Sequence, residues 1–384
     1  MTRYQILALW FSFLALQLVA FVNSYVVDLK GGTIDAARFQ TAAANWAIDG
    51  RWEFAVNSEF FVQYLGLLFR LFGPSEFVAT QFGIVALLAA VFLCIKMARE
   101  IGVHMPALAI LALALWPSMA LRVTTTLREP YMVLFVTLSL YGLLFFSKSG
   151  RWRYAGIALL GICLGALFHK ALAVLAPFTL MLLFLSALRQ HRGFFKSSSG
   201  LVLIGLTVIA LIGFAGSGTS VKGLKPLQAL LLWDTETITR VIDYKSGRDF
   251  RTTYDAGLNF SGALPFMLSL IKSFIYYMFM PFPWLWRTPL DLLAGIEATF
   301  RLGGLILMLR FSVLGRGLPS ALRPVSIATL ILLVIWAVGT ANYGTASRHH
   351  LTTNWVFILI YIACFSKLSL PASTRGLAGA IRQN

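Results

Sequence analysis

The sequence predicts an all-α integral membrane bundle of about ten crossings, with further helices lying along its outer face, and three observations lead there. Apolar side chains make up 58% of the 384 residues and charged ones only 12%, with a mean hydropathy of +0.78, so the chain lacks the polar surface to cover a globule in water. Stretches such as 82–95, 132–146 and 327–338 carry no charge over lengths that approach the roughly 20 residues needed to cross the hydrocarbon. Helices are the element these stretches must form, because an open strand leaves its backbone unsatisfied in lipid. The Lys and Arg residues behind the net charge of +17 fall in short groups between the apolar runs and form no single stripe, which speaks for membrane topology and against nucleic acid as a partner.

Positive loops stay in the cytoplasm, which assigns Lys96/Arg99, Lys148/Arg151/Arg153, Arg189/Arg192/Lys196, Arg310/Arg316/Arg323 and the tail with Lys367, Arg375 and Arg382 to the inner side. Parity then predicts spans near 5–27, 77–97, 105–121, 130–147, 154–170, 171–188, 200–216, 290–309, 324–340 and 351–367, with both termini inside. Residues 6–27 are long for a cleaved leader and are read as a retained span. An extra crossing at 59–72 or 264–283 would push a basic loop outside, so both are expected to lie along the outer interface or dip into it; the aromatics of IYYMFMPFPWLW suit the headgroup level. The domain plan is one polytopic unit over 1–384, with a first outer loop at 28–75 carrying interfacial helices and a long one at 217–289 carrying an interfacial or re-entrant segment. Cys94, Cys163 and Cys364 all fall inside apolar runs without metal-ligand spacing, so neither a disulfide framework nor a zinc site is expected.

The outer loops hold the residues suited to chemistry. In DLKGGTIDAARFQTAAANWAIDGRWEF, Gly31 and Gly32 end the first span and Thr33 can cap a helix running to about Ile48, which puts Asp35 in its first turn. A carboxylate there faces the positive end of the helix dipole and can take a proton from a sugar hydroxyl, or it can simply stabilise the helix start. In TTTLREP, Arg128 and Glu129 stand directly before Pro130, a first-turn residue, and Arg122 lies one or two turns earlier. Guanidinium groups match phosphate oxygens in a planar, two-pronged way, so Arg122 and Arg128 suit a lipid phosphate or pyrophosphate, whether as substrate or as headgroup. His169 and Lys170 sit where two short spans meet, a place where charge needs water or a partner. Arg348, His349 and His350 open the last span, and adjacent histidines on a helix face different ways, which argues against a shared metal. The mixed-charge stretch 217–262 reads mostly as a solvated face, and its end, GRDFRTTYDAGLNFSG, as a lid over a groove.

The order of these outer motifs resembles the GT-C superfamily of membrane glycosyltransferases, which take sugars from polyprenyl-phosphate carriers. The resemblance starts at Asp35 and ARFQTAAANW. It runs through VQYLGLLFRLFGPSEFVATQFGIVALLAAVFLCIKMAREIG and through ALWPSMALRVTTTLREPYMVLFVTLSLYGLL, where an acidic residue of the family matches Glu129. It continues in GALFHKALAVLAPF, where a lysine matches Lys170, and in GTASRHHL, where an arginine matches Arg348. The family often carries a paired acid in its first loop; here Ala36 follows Asp35, which weakens the case for a bound divalent metal without removing it.

The resemblance implies an inverting transfer at the outer face of a bacterial inner membrane, from a polyprenyl-phosphate-linked sugar to a glycan or lipid acceptor. Asp35 and Glu129 would be the catalytic acids, and Arg122, Arg128, His169, Lys170, Arg348 and His349 would bind the lipid phosphate and substrate. Two other roles fit the same architecture. One is a polymerase acting on polyprenyl-pyrophosphate oligosaccharides, which would lean on arginines without needing Asp35. The other is a lipid-glycan flippase, which would hold charge near the middle of its spans.

Overall fold

The computed structural model describes residues 1–27, 33–190, 252–254, 257–259, 261–313 and 319–368. The chain opens with α1 (Arg3–Tyr25), whose start is closed by a reciprocal Thr2/Gln5 capping box, followed by α2 (Thr33–Asp49) and α3 (Ser58–Phe72). Thr33 is thus the first residue of α2 and not its cap, a one-residue displacement that leaves Asp35 in the first turn. Next come α4 (Glu76–Glu100), α5 (Ala107–Ala114) and α6 (Pro117–Val123). The single crossing expected over 105–121 is in fact two helices, because Pro117 has no N–H to continue the ladder and opens a new helix as its first residue.

Helix α7 (Glu129–Ser149) starts with Pro130 in its first turn and stops at Gly150, which takes the left-handed conformation at φ 65°. It is followed by α8 (Trp152–Phe168), a 3₁₀ turn at Lys170–Val174 and α9 (Leu175–Gln190). Beyond 252 the helices are α10 (Ala263–Phe279), α11 (Pro289–Leu307), α12 (Leu322–Gly339) and α13 (Tyr343–Leu368). The expected span at 200–216, the charged loop up to Arg251 and the tail with Arg375 and Arg382 lie outside the described residues.

Among the described residues, six helical stretches are long and apolar enough to cross a membrane: Arg3–Tyr25, Glu76–Glu100, Glu129–Ser149, Lys170–Gln190, Pro289–Phe311 and Leu322–Gly339. Trp152–Phe168 and Ala263–Phe279 are apolar but shorter. The molecule is therefore a multi-pass helical membrane protein, and the described residues do not reach the count of ten. Residues 264–283 contain most of α10, which wedges against α11 and α12. Ser273 Oγ donates to Ala337 O at 3.1 Å, and the Arg301 guanidinium donates to Met278 O at 3.1 and 3.2 Å. Residues 59–72 lie within α3, which packs on α2 through Ala43, Leu65, Leu68 and Phe69; Arg70 donates to Ala47 O at 2.8 Å and so satisfies the carbonyl end of α2.

Helices α7 and α8 touch backbone to backbone. A methyl group on Gly161 would stand 2.6 Å from Ser139 N and 2.7 Å from Phe135 O, so only glycine lets the two axes come this close. The core is centred on α13, whose residues from Leu351 to Ile360 are all buried, so this helix stands as a post inside the ring of the others. One end of the bundle gathers the start of α7, the end of α12, the start of α13 and the α2–α3 pair, with Asn23 Nδ2 of α1 donating to Thr124 O at 2.9 Å. The other end is tied by Gln5 Nε2 to Met105 O at 2.9 Å and by the Lys148–Glu100 ion pair at 2.9 Å.

Two measurements check this arrangement. Gly161→Val should cost about 1–3 kcal/mol by forcing α7 and α8 apart, read as a lower thermal midpoint in detergent. With the exposed Cys163 replaced by Ser, Thr345→Cys and Ser320→Cys should label from opposite sides of a sealed vesicle; labelling of both from one side would contradict the fold.

Candidate active site

Three chain segments far apart in sequence meet at Arg348. Its Nη1 is ion-paired with Asp35 Oδ2 across 313 residues, and its Nε lies 3.4 Å from Glu129 Oε1. The three groups differ in access to solvent: the Asp35 side chain is 48% exposed, that of Arg348 19% and that of Glu129 8%. The site is therefore layered, with an accessible carboxylate at its mouth, a guanidinium behind it and a second carboxylate at the bottom. Glu129 Oε2 is buried and has no hydrogen-bond partner among the described residues. A buried acceptor left open in this way is a place where a ligand hydroxyl would be satisfied.

Arg128, the residue before Glu129, turns to a different neighbour. Its Nη1 donates to Asn57 Oδ1 at 2.5 Å and to Phe168 O at 3.3 Å. Burial pulls the Arg128 guanidinium below its ordinary range, and the adjacent Glu129 carboxylate pushes it back up. Asn57 is held from the other side as well, its N–H donating to Leu167 O at 2.6 Å, and its φ of 66° is one that asparagine tolerates better than most residues. Arg122, in the last turn of α6, stands close enough to Arg348, Glu129, Asp35 and Glu297 for their charges to act on it. A further link to α2 runs from Gln40 Nε2 to Thr126 Oγ1 at 2.9 Å.

His169 and His349 meet over one indole. The His349 ring stacks on Trp336 with centroids 3.9 Å apart, His169 stands edge-on to Trp336 at 5.0 Å, and the two imidazoles are 5.8 Å apart. Thr340 Oγ1 lies 3.1 Å from His349 Nδ1 and orients that ring. Lys170 follows His169 directly and opens the 3₁₀ turn. His350 faces away, its Nε2 bonded to Tyr277 O at 2.9 Å. The residues singled out in the sequence thus fall into two linked groups: Asp35, Glu129, Arg348 and Arg122 in one, His169 and His349 with neighbouring Lys170 in the other. Arg128 reaches from the first group to the carbonyl just before the second.

Four residues were not singled out by the sequence. Asn57 looks like an ordinary helix cap, and Trp336 is hidden in an apolar run. Glu297 and Arg301 do carry a signal, a carboxylate and a guanidinium four residues apart inside an apolar helix. Both are nearly fully buried near the middle of α11. Glu297 accepts from Ser118 N at 3.1 Å and Ser118 Oγ at 2.9 Å, closing the start of α6, while Arg301 closes the end of α10. The pair braces the two helix ends beside the site. Among the described residues no three His, Cys, Asp or Glu side chains cluster as metal ligands. With Arg348 between them, Asp35 and Glu129 already share a cation, so this pair does not fit a divalent metal.

Residues 60–216 match the family model described as dolichyl-phosphate-mannose-protein mannosyltransferase, a match that covers less than half of the chain. In structure, the chain is similar to the archaeal oligosaccharyltransferase AglB from Archaeoglobus fulgidus, solved in complex with an inhibitory peptide and a dolichol-phosphate. That match has 14% identity and a TM-score of 0.51 over 99% of this chain and 52% of the other. The apo form of an Archaeoglobus fulgidus oligosaccharyltransferase matches at 16% identity and a TM-score of 0.49 over 97% of this chain and 52% of the other. The chain thus spans about half the length of the solved proteins it resembles. No match was found among curated protein sequences. Part of the chain thus matches a mannosyltransferase family model, and its fold is similar to that of an oligosaccharyltransferase.

Two perturbations probe the site's construction. Arg348→Ala should cost about 3 kcal/mol by stranding the buried Glu129, and combining it with Glu129→Gln should recover part of that loss in thermal unfolding. Glu297→Ala should be comparably destabilising because Arg301 loses its buried partner, whereas Glu297→Gln keeps an acceptor for Ser118 and should cost less.

Proposed function

We propose that this chain transfers a sugar from a polyprenyl-phosphate carrier to a glycan or lipid acceptor at the outer face of a bacterial inner membrane, with inversion at the anomeric carbon. The observation that carries the reading is the Asp35–Arg348–Glu129 bridge, which joins an accessible carboxylate to a buried one through a single cation. Asp35 takes the proton of an acceptor hydroxyl. The freed oxygen attacks the anomeric carbon, the bond from that carbon to the phosphate oxygen breaks, and the polyprenyl phosphate leaves with the electron pair. Phosphate is a good leaving group, so the site has more need of fixed cations than of an acid, and Arg122, Arg128, Lys170 and Arg348 supply them. His169 and His349, ordered on Trp336, add hydrogen-bonding capacity beside that anion. Glu129, with its open Oε2, holds an acceptor or sugar hydroxyl and positions Arg348.

The oligosaccharyl reading, in which the donor is a polyprenyl-pyrophosphate glycan and the chain acts as a polymerase, draws on one observation. Asp35 is engaged by Arg348, and this suits a carboxylate whose task is to aim a cation. A flippase gains little from the mid-helix charges Glu297 and Arg301, since Ser118 and Met278 occupy them.

Purified protein and an Asp35→Asn variant, incubated with polyprenyl-monophosphate sugars and polyprenyl-pyrophosphate oligosaccharides and followed by mass spectrometry, separate these readings. The expected outcome is turnover of the monophosphate donor that falls about 10²-fold or more in the variant while donor binding persists. Unchanged turnover would remove Asp35 as the base, and exclusive use of pyrophosphate donors would favour the polymerase.

A further inference from the structure

The end of the bundle remote from Asp35 contains a second, unrelated cavity. It holds about 680 Å³ between the start of α1, the end of α4 and the turn before α5, and its lining includes Lys96, Arg99 and His104. The distance from the proposed catalytic end is set by α4, whose 25 residues at about 1.5 Å each make roughly 37 Å, enough to cross the hydrocarbon. Among the described residues, no carboxylate lines this cavity. Glu100, the acid nearest in sequence, is engaged by Lys148 at 2.9 Å, so Lys96 and Arg99 face the cavity with no carboxylate partner among the described residues. The floor is built rather than incidental: Gln5 is buried and bonded to Met105 O at 2.9 Å, holding α1 to the turn before α5.

The walls say what kind of anion belongs there. Lys96 Nζ lies 4.7 Å from the centroid of the Phe92 ring, one turn closer to the middle of the bundle. Phe92 and Val85, seven residues apart on one face of α4, are both exposed, as are Leu7, Phe11 and Leu14 on α1. A cationic pocket that continues into an exposed apolar wall has the form of an amphiphile's binding site: an anionic head among Lys96, Arg99 and His104, and chains lying along Phe92 and Val85. A free phosphate would use the first part and gain nothing from the second.

We propose that this cavity binds the phosphate headgroup of an anionic membrane lipid in the leaflet opposite the active site, independently of the transfer reaction. The test is native mass spectrometry of the full chain, released from detergent with equimolar phosphatidylglycerol and phosphatidylcholine. Wild-type protein should retain phosphatidylglycerol preferentially. Lys96→Gln and Arg99→Gln should each lower that preference about fivefold, and the double variant more. Arg151→Gln with Arg153→Gln, at the same end but outside the cavity, should leave it intact. If the double variant does not fold, the two single variants carry the test.

Equal retention of the two lipids by wild type would overturn the proposal. So would a preference that survives both cavity substitutions, or one lost equally in the Arg151/Arg153 control. Inorganic phosphate serves as the competing probe: a cavity that binds it while showing no lipid preference is an ion site, and the lipid assignment fails.

Discussion

The site depends on one guanidinium being shared by two carboxylates. Arg348 belongs to the helix at the centre of the bundle, Asp35 to a helix laid across one end and Glu129 to the first turn of a core helix, so the shared charge fixes the relative position of three elements. It also determines what each acid can do. Glu129, almost fully buried, needs Arg348 to be tolerated there, while Asp35 keeps nearly half of its side chain in contact with solvent. Two acids of the same chemical kind are thus differentiated by depth alone.

Around that bridge, helix ends are satisfied by side chains from other helices. Arg70 closes the end of α2, Glu297 the start of α6 and Arg301 the end of α10. In lipid an unsatisfied backbone group has no water to turn to, so every interrupted helix must borrow a donor or acceptor from a neighbour. The interruption at Pro117 places Arg122 beside the site, and the buried pair on α11 makes that interruption tolerable.

Much of this was legible in the sequence where the signal is local. Apolar runs revealed most of the long helices, and Asp35, Glu129 and Arg348 drew notice because each sits at the head of a helix next to a turn. The break within 105–121 was written in Trp116–Pro117, but a hydropathy profile averages across it. Pairings between distant segments leave no such mark: nothing near Ser118 calls for Glu297, nothing near Arg128 calls for Asn57, and Trp336 resembles any other large residue of its span until two imidazoles are seen against it. Those contacts follow from tertiary packing, to which a single sequence is nearly blind.

The central placement of α13 has a consequence for which parts of the molecule can move. A post buried from Leu351 to Ile360 cannot swing without dismantling its neighbours, so the arginine at its head is a stationary reference point. Any movement at this end of the bundle falls to the periphery, where the α2–α3 pair meets the post through the exposed acid. Breaking and remaking that charged contact would shift α2 and α3 while the guanidinium behind it stays still.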